Sequence, residues 1–109
     1  MNRAKRAFAA LAACLVLGFS NTSLAITAGE LLADDDSKYI SRYLMGLVDM
    51  FAYLQFTEGD DDRGNCIYNW YYRTEGSVEA IYGYLEKFPD KAPEAIVWVL
   101  AKRACPLQE

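Results

Sequence analysis

The chain has 109 residues, with 11 Lys and Arg against 15 Asp and Glu for a net charge of −4, and contains no histidine. That length holds one domain rather than two, and the acidic balance excludes the concentrated basic surface that nucleic acid requires. The missing imidazole excludes Ser-His-Asp and Cys-His nucleophilic centres and histidine-ligated zinc.

In chain order, the first element is a leader. Arg3, Lys5 and Arg6 precede an apolar run from Ala7 to Phe19, and Ser23-Leu24-Ala25 sets small residues at the −3 and −1 positions of a cleavage site. The run is too short for a membrane span, which needs nearer 20 residues. Leu11-Ala12-Ala13-Cys14 resembles the site at which a lipoprotein cysteine is acylated, but apolar residues continue past it, so soluble export is the favoured reading. Residues 1–25 are therefore expected to be a signal peptide that carries Cys14 away, and residues 26–109 a single domain beginning at Ile26. Losing the three basic residues leaves 8 against 15 acidic ones, a net charge of −7 that suits a basic protein partner or simple solubility.

The spacings predict an all-α, compact bundle of four to five short helices. Thr27-Ala28-Gly29-Glu30 has capping-box spacing, with Leu31 and Leu32 as anchors. Asp34, Asp35 and Asp36 mark a solvated junction whose carboxylates favour the next helix start. From Ser37 to about Phe56, Ile40, Leu44, Leu47, Phe51 and Leu54 form one apolar stripe, broadened by Tyr43, Val48 and Met50. Gly46 within it costs about 1 kcal/mol relative to alanine and is expected to permit a close helix crossing. Asp49 reads as a surface residue or as the partner of a donor at a helix junction.

Thr57 to Asn65 is polar, with glycines near both ends, and reads as a loop. Asn65 is the expected cap of a brief helix over Cys66 to Arg73. Its aromatics, Tyr68, Trp70, Tyr71 and Tyr72, are too many for so short a segment to hide, so some are expected at an interface. Ser77 is the expected cap of a helix bearing Val78, Ile81, Tyr82, Leu85 and Phe88 on one face and ending at Pro89. A final helix has Pro93 in its first turn, Ala92, Ile96, Val99 and Leu100 on its apolar side, and Lys102 and Arg103 at its C-terminus.

Cys66 and Cys105 are the two cysteines that remain after export. In an oxidising compartment they are expected to form a disulfide rather than separate thiols or metal ligands. The bond would tether the final helix to the end of the acidic segment. Chemistry is otherwise sparse. Glu58, Asp60, Asp61 and Asp62 are adjacent and solvated, unlike the two differently housed carboxylates of a glycosidase. The segment also lacks the length and terminal glutamate of a helix-loop-helix calcium site. Gly59 and Gly64 form no phosphate-binding fingerprint. No enzyme activity, cofactor or metal is expected.

A binding module remains. Its expected contact surface is Glu58, Asp60, Asp61, Asp62 and Arg63 with the neighbouring Tyr68, Trp70, Tyr71 and Tyr72, the charges steering and the rings supplying apolar contact. The same features also fit a solvated connector beside core aromatics. A periplasmic chaperone or stress-response protein, offering apolar faces to many clients, is the alternative function.

Several stretches resemble the Tai immunity family, whose members neutralise peptidoglycan amidase effectors delivered by the type VI secretion system. They are Gly29-Glu30-Leu31-Leu32, Tyr43-Leu44-Met45-Gly46-Leu47-Val48-Asp49, Tyr84-Leu85-Glu86-Lys87-Phe88-Pro89, Ala95 through Leu100, and Ala104-Cys105-Pro106. Their order spans nearly all of residues 26–109. The resemblance implies a small all-helical periplasmic protein, often a homodimer, with no stable membrane insertion of the mature chain. It also implies inhibition by a loop that enters the amidase groove and occludes its catalytic cysteine. Glu58 through Arg63 is the expected inhibitory loop, with the 74–77 connection as its rival. Related sequences often carry another cysteine pair; here Asp34 or Asp35 and Ser41 occupy the corresponding places.

Overall fold

The computed structural model describes residues 26–107. The expected signal peptide, residues 1–25 with Cys14, lies outside that range. Among the described residues there are five helices and no strand: α1 (Ala28–Leu32), α2 (Ser37–Thr57), α3 (Asp61–Arg73), α4 (Ser77–Lys87) and α5 (Pro93–Ala104). The all-α bundle expected from the spacings is what forms, although α2 is a long helix of 21 residues. None of these helices is long and apolar enough to cross a membrane.

A five-residue helix such as α1 cannot stand alone, because nucleation costs more than so few hydrogen bonds return. Two devices hold it. The Thr27 side chain accepts from the Glu30 amide at 3.2 Å. The Ala28 and Gly29 amides donate to the carbonyls of Lys91 and Pro89 in the α4–α5 connection, at 2.8 and 2.9 Å. Gly29 allows this close approach, since a Cβ would sit 3.2 Å from that of Pro89 and 3.3 Å from its carbonyl oxygen. Leu31 then drops into the core beside Ala28.

Asp36 caps α2 by accepting from the Lys38 amide at 2.9 Å, and Asp34 accepts from the Asp36 amide at 2.8 Å. The triple-Asp junction thus uses two of its carboxylates to start the helix. Ile40, Leu44, Leu47 and Val48 are buried as the stripe requires, but farther along the buried positions are Ala52 and Gln55, and Met50 and Leu54 are exposed. The reason is the helical period: steps near 3.6 residues carry the inward face from 44 through 48 and 52 to 55. Val97 likewise replaces Val99 as the buried valine of α5, and Phe88 lies exposed beyond the end of α4.

One cluster of buried side chains joins all five helices, with Leu44, Val48, Ile67, Ile81, Leu85 and Val97 at its centre. Helix α5 packs against α2, α3 and α4, and the most extensive contact is between α2 and α3. Gly46 has no part in that contact: nothing lies within 4 Å of where its Cβ would be. The crossing glycine is Gly64, whose Cβ would come within 2.8 Å of the Phe56 ring and 3.0 Å of the Ala52 carbonyl oxygen.

Candidate functional site

The segment read as a loop is a tight helix-to-helix corner. Glu58, Gly59 and Asp60 alone separate α2 from α3, and Asp61 through Asn65 are helical. Gly59 takes φ 83°, donates to the Phe56 carbonyl at 3.1 Å, and lets the Asp60 amide reach back to the Gln55 carbonyl at 2.9 Å. These two bonds make the Schellman closure of a helix C-terminus. Asp60 then caps α3, its side chain accepting from the Arg63 amide at 3.0 Å. Asp61 and Asp62 occupy the first turn, where the helix dipole favours negative charge. The cap is therefore Asp60 and not Asn65, and the second glycine of the polar run serves packing rather than a turn.

Arg63 points inward from this corner. Its Nε donates to the Cys105 carbonyl at 3.0 Å, its Nη1 to Gln55 Oε1 at 3.3 Å, and its guanidinium carbon stands 5.5 Å from the centre of the Trp98 ring. One side chain thus ties the last turn of α2, the first turn of α3 and the end of α5. The disulfide of Cys66 with Cys105 fastens the same place, with Cα atoms 5.9 Å apart, Cys105 buried and Cys66 exposed. Gln55 and Trp98 are the contributors that sequence reasoning missed. Gln55 carries no signal for burial, whereas Trp98, one turn after Glu94, carries the signal of any large ring on a helix facing two others.

Two concavities flank Arg63. One, of about 410 Å³, is lined by Asp60, Asp62, Arg63, Cys66, Ala104, Cys105 and Pro106. The other, of about 400 Å³, lies between α2 and α5 with Phe51, Leu54 and Trp98 as its apolar walls and Glu58 and Glu94 as its carboxylates. Among the described residues no group of three or more His, Cys, Asp or Glu side chains is placed to hold a metal ion.

The expected contact residues divide by direction. Asp61, Asn65, Tyr68 and Tyr72 follow one another at helical spacing along one face of α3, and all but the half-buried Tyr72 are exposed. The Tyr68 and Tyr72 rings lie 4.5 Å apart, and Tyr72 donates its hydroxyl to Asp49 Oδ1 at 2.8 Å. Burial, then that acceptor, push the Tyr72 pKa well above the ordinary phenol value. Asp49 is thus the partner of a side-chain donor across the α2–α3 contact. Glu58 and Asp62 are exposed at the corner, Asp60 is half-buried by its capping role, and Trp70 is half-buried away from the Asp61 face. Tyr71 turns into the core, where burial first and then Tyr82 and Asp49 raise its pKa.

At the far end of α3, Ser77 opens α4 without capping it. The capping position is Gly76 at φ 87°, and the buried Ser77 hydroxyl donates back to the carbonyls of Tyr71 and Thr74, at 3.2 and 2.9 Å. Ser77 therefore closes the C-terminus of α3. Comparison of the chain with family models, with curated proteins and with solved structures returned no match.

Proposed function

We propose that the chain is a periplasmic immunity protein that binds a peptidoglycan amidase effector of the type VI secretion system and blocks its active-site groove with the α2–α3 corner. The observation that carries this reading is the build of the corner. Three exposed carboxylates, those of Glu58, Asp61 and Asp62, stand on a turn held by the Schellman bonds, the Asp60 cap, Arg63 and the nearby disulfide. A projection fixed in this way loses little conformational freedom when a partner closes around it. Negative charge on it speeds encounter with a basic groove, and Tyr68 farther along the Asp61 face supplies an aromatic anchor. The ordered stretches that resemble the immunity family and the leader-like N-terminus support the same reading.

The test mixes the protein with any candidate peptidoglycan amidase encoded beside it and measures complex formation and peptidoglycan cleavage. A tight stoichiometric complex with loss of cleavage is expected. Asp61→Lys together with Asp62→Lys should weaken inhibition by on the order of tenfold or more, the scale of charge pairs at an interface, while Asp60 stays in place as the cap. Unchanged inhibition would move the contact away from the corner. No binding to that amidase, or equal binding to many unfolded clients, would replace immunity with the chaperone reading.

A further inference from the structure

Helices α2 and α5 run side by side in the same direction. Tyr43 meets Glu94 near their starts, Phe51 meets Trp98 in the middle, and Arg63 joins Gln55 to Cys105 near their ends. Past the middle they leave a slot of about 400 Å³. Ala95 accounts for the space. This exposed one-carbon side chain stands one turn before Trp98, where a longer residue would occupy the slot. On the opposite wall Leu54 is 45% exposed, although Phe51 is half-buried and Gln55 buried beside it.

The lining selects by charge. Phe51, Leu54 and Trp98 are its apolar walls, with Glu58 on the side of the α2–α3 corner and Glu94 on the side of the helix starts. Tyr43 donates to Oε1 of Glu94, which leaves Oε2 to accept from a further donor. The cation in the lining, Arg63, is already engaged by the Cys105 carbonyl and by Gln55. Two carboxylates against one engaged guanidinium leave the slot negative. Trp98 already draws Arg63 and Lys102, 5.5 and 5.6 Å from its ring centre, and Lys102 lies outside the lining. An incoming cation therefore finds its place at a carboxylate, and only its stem at the ring.

We infer that the slot receives a lysine or arginine side chain of a partner protein, its stem against Phe51, Leu54 and Trp98 and its head on Glu94. Long basic side chains bury their methylenes and keep the charge at a polar end. Glu94 is half-buried, so it holds the head, while the exposed Glu58 steers the approach from the corner. A cavity of this size is at the low end of those that hold a small ligand, which suits one side chain and not a folded segment. An apolar knob would cover Glu94 Oε2 without giving it a donor. An acidic one would meet two like charges. The acidic excess of the whole chain, −4, favours a basic surface as the one that arrives. The inference stands without the amidase reading, which would only name the protein that brings the side chain.

The test therefore needs no amidase. It titrates n-butylammonium, the lysine side chain cut at its Cβ, into the isotope-labelled protein expressed from its full coding sequence, with n-butanol and n-pentanoate as neutral and anionic analogues at constant ionic strength. Butylammonium should shift the Trp98 indole N–H and the amides of Leu54 and Ala95 in the NMR spectrum. Its affinity should exceed that of butanol by roughly fivefold, the scale of a partly exposed ion pair, and pentanoate should leave these signals in place. Glu94→Gln keeps an acceptor for Tyr43 and should remove most of that preference. Ala95→Leu exchanges one good helix former for another at an exposed position, and should fill the slot and abolish the shifts. Leu54→Ser removes an exposed wall and should weaken butylammonium severalfold, a readout that does not depend on how α5 accepts leucine. Equal affinity for butylammonium and butanol would overturn the cationic occupant. So would shifts confined to Asp61 and Asp62, which would mean only a loose ion atmosphere at the corner, or full-strength binding in Ala95→Leu, which would put the probe elsewhere. No shift with any probe at tens of millimolar would overturn the slot itself.

Discussion

The turns before and after α3 each reverse the chain around one glycine in the left-handed region, Gly59 in the first and Gly76 in the second, yet only the first is cross-linked to a distant part of the fold. There the disulfide, the Arg63 bond to the Cys105 carbonyl and the Gly64 crossing all converge within a few residues. The second turn, with Thr74, Glu75 and Gly76 exposed, is held by the local bonds of the Ser77 hydroxyl. Both corners present backbone to solvent, but one presents several carboxylates on a turn tied to α5 and the other a single glutamate on a turn held only by local bonds. Between the two segments that the sequence offers for insertion into a groove, the difference favours the first.

Cutting the cross-link should erase most of that difference. The disulfide closes a segment of 39 residues, and chain-entropy arithmetic gives it about 4 kcal/mol. For a domain of this size that corresponds to a fall in melting temperature of roughly 15–30 °C. Cys66→Ser with Cys105→Ser, or verified reduction, should show it by calorimetry. Amide exchange should then quicken more at residues 58–63 than at 74–77. An unchanged melt would remove the disulfide as the source of the corner's rigidity.

The glycines come next. Gly64→Val forces a branched side chain against the Phe56 ring and the Ala52 carbonyl and should destabilise by about 2–3 kcal/mol, measured as a shift in urea midpoint. Phe56→Ala in the same chain should recover part of the loss, because the ring is the movable half of the clash. Gly76→Ala strains only its own backbone and should cost about 1–2 kcal/mol, with no second-site change that recovers it. If the two substitutions behaved alike, the corners would not differ in the way described.

How far the corner was legible in the sequence follows from the same residues. The positions of α1, α2, α4 and α5, the Thr27 cap, Pro89 as a terminator, Pro93 at a helix start and the cysteine pair rest on local rules, and the structure agrees with them. The polar run from Thr57 to Asn65 was misread because two glycines among acids look like a solvated loop. Only Gly59 needs a positive φ, and the need for Gly64 comes from Phe56, eight positions away across the crossing. A signal for the true boundary was present: Asp60 followed by two more acids is a helix-start pattern, outweighed by the glycine beside it. The inward Arg63 carries no local signature, because its partners lie on α2 and α5. For the same reason Leu54 and Gln55 exchanged places, a one-residue error that only the drift of the helical face resolves.

Removing the α3 cap is a smaller perturbation than either glycine change at its upper end. Asp60→Ala should cost about 1 kcal/mol and loosen the first corner, while Ser77→Ala should cost a similar amount and loosen the second. Hydrogen exchange would locate each effect, and fraying at the opposite end of α3 would contradict the assigned roles.

The smallest effect is expected in alkali, and it separates the ends of α3 by chemistry instead of by substitution. Tyr43 donates to Glu94, linking α2 to α5, and burial, then that carboxylate, push its pKa up to about 12. Tyr72, near the second corner, is raised as well, by burial and by its bond to Asp49. Both groups are neutral in the fold at a pH where an unfolded phenol ionises, so their contribution is fully present below about pH 10 and is lost as pH rises through their folded values. Urea midpoints should therefore hold from neutrality to about pH 9 and decline from about pH 10 upward. Tyr72→Phe should flatten part of that decline and Tyr43→Phe another part. Because Asp49 and Tyr72 meet near the C-terminal end of α3, tyrosinate formation there should quicken amide exchange at residues 72–77 before residues 58–63 respond. Simultaneous opening at both corners would mean that the cross-linked corner gains no local protection from its fastenings.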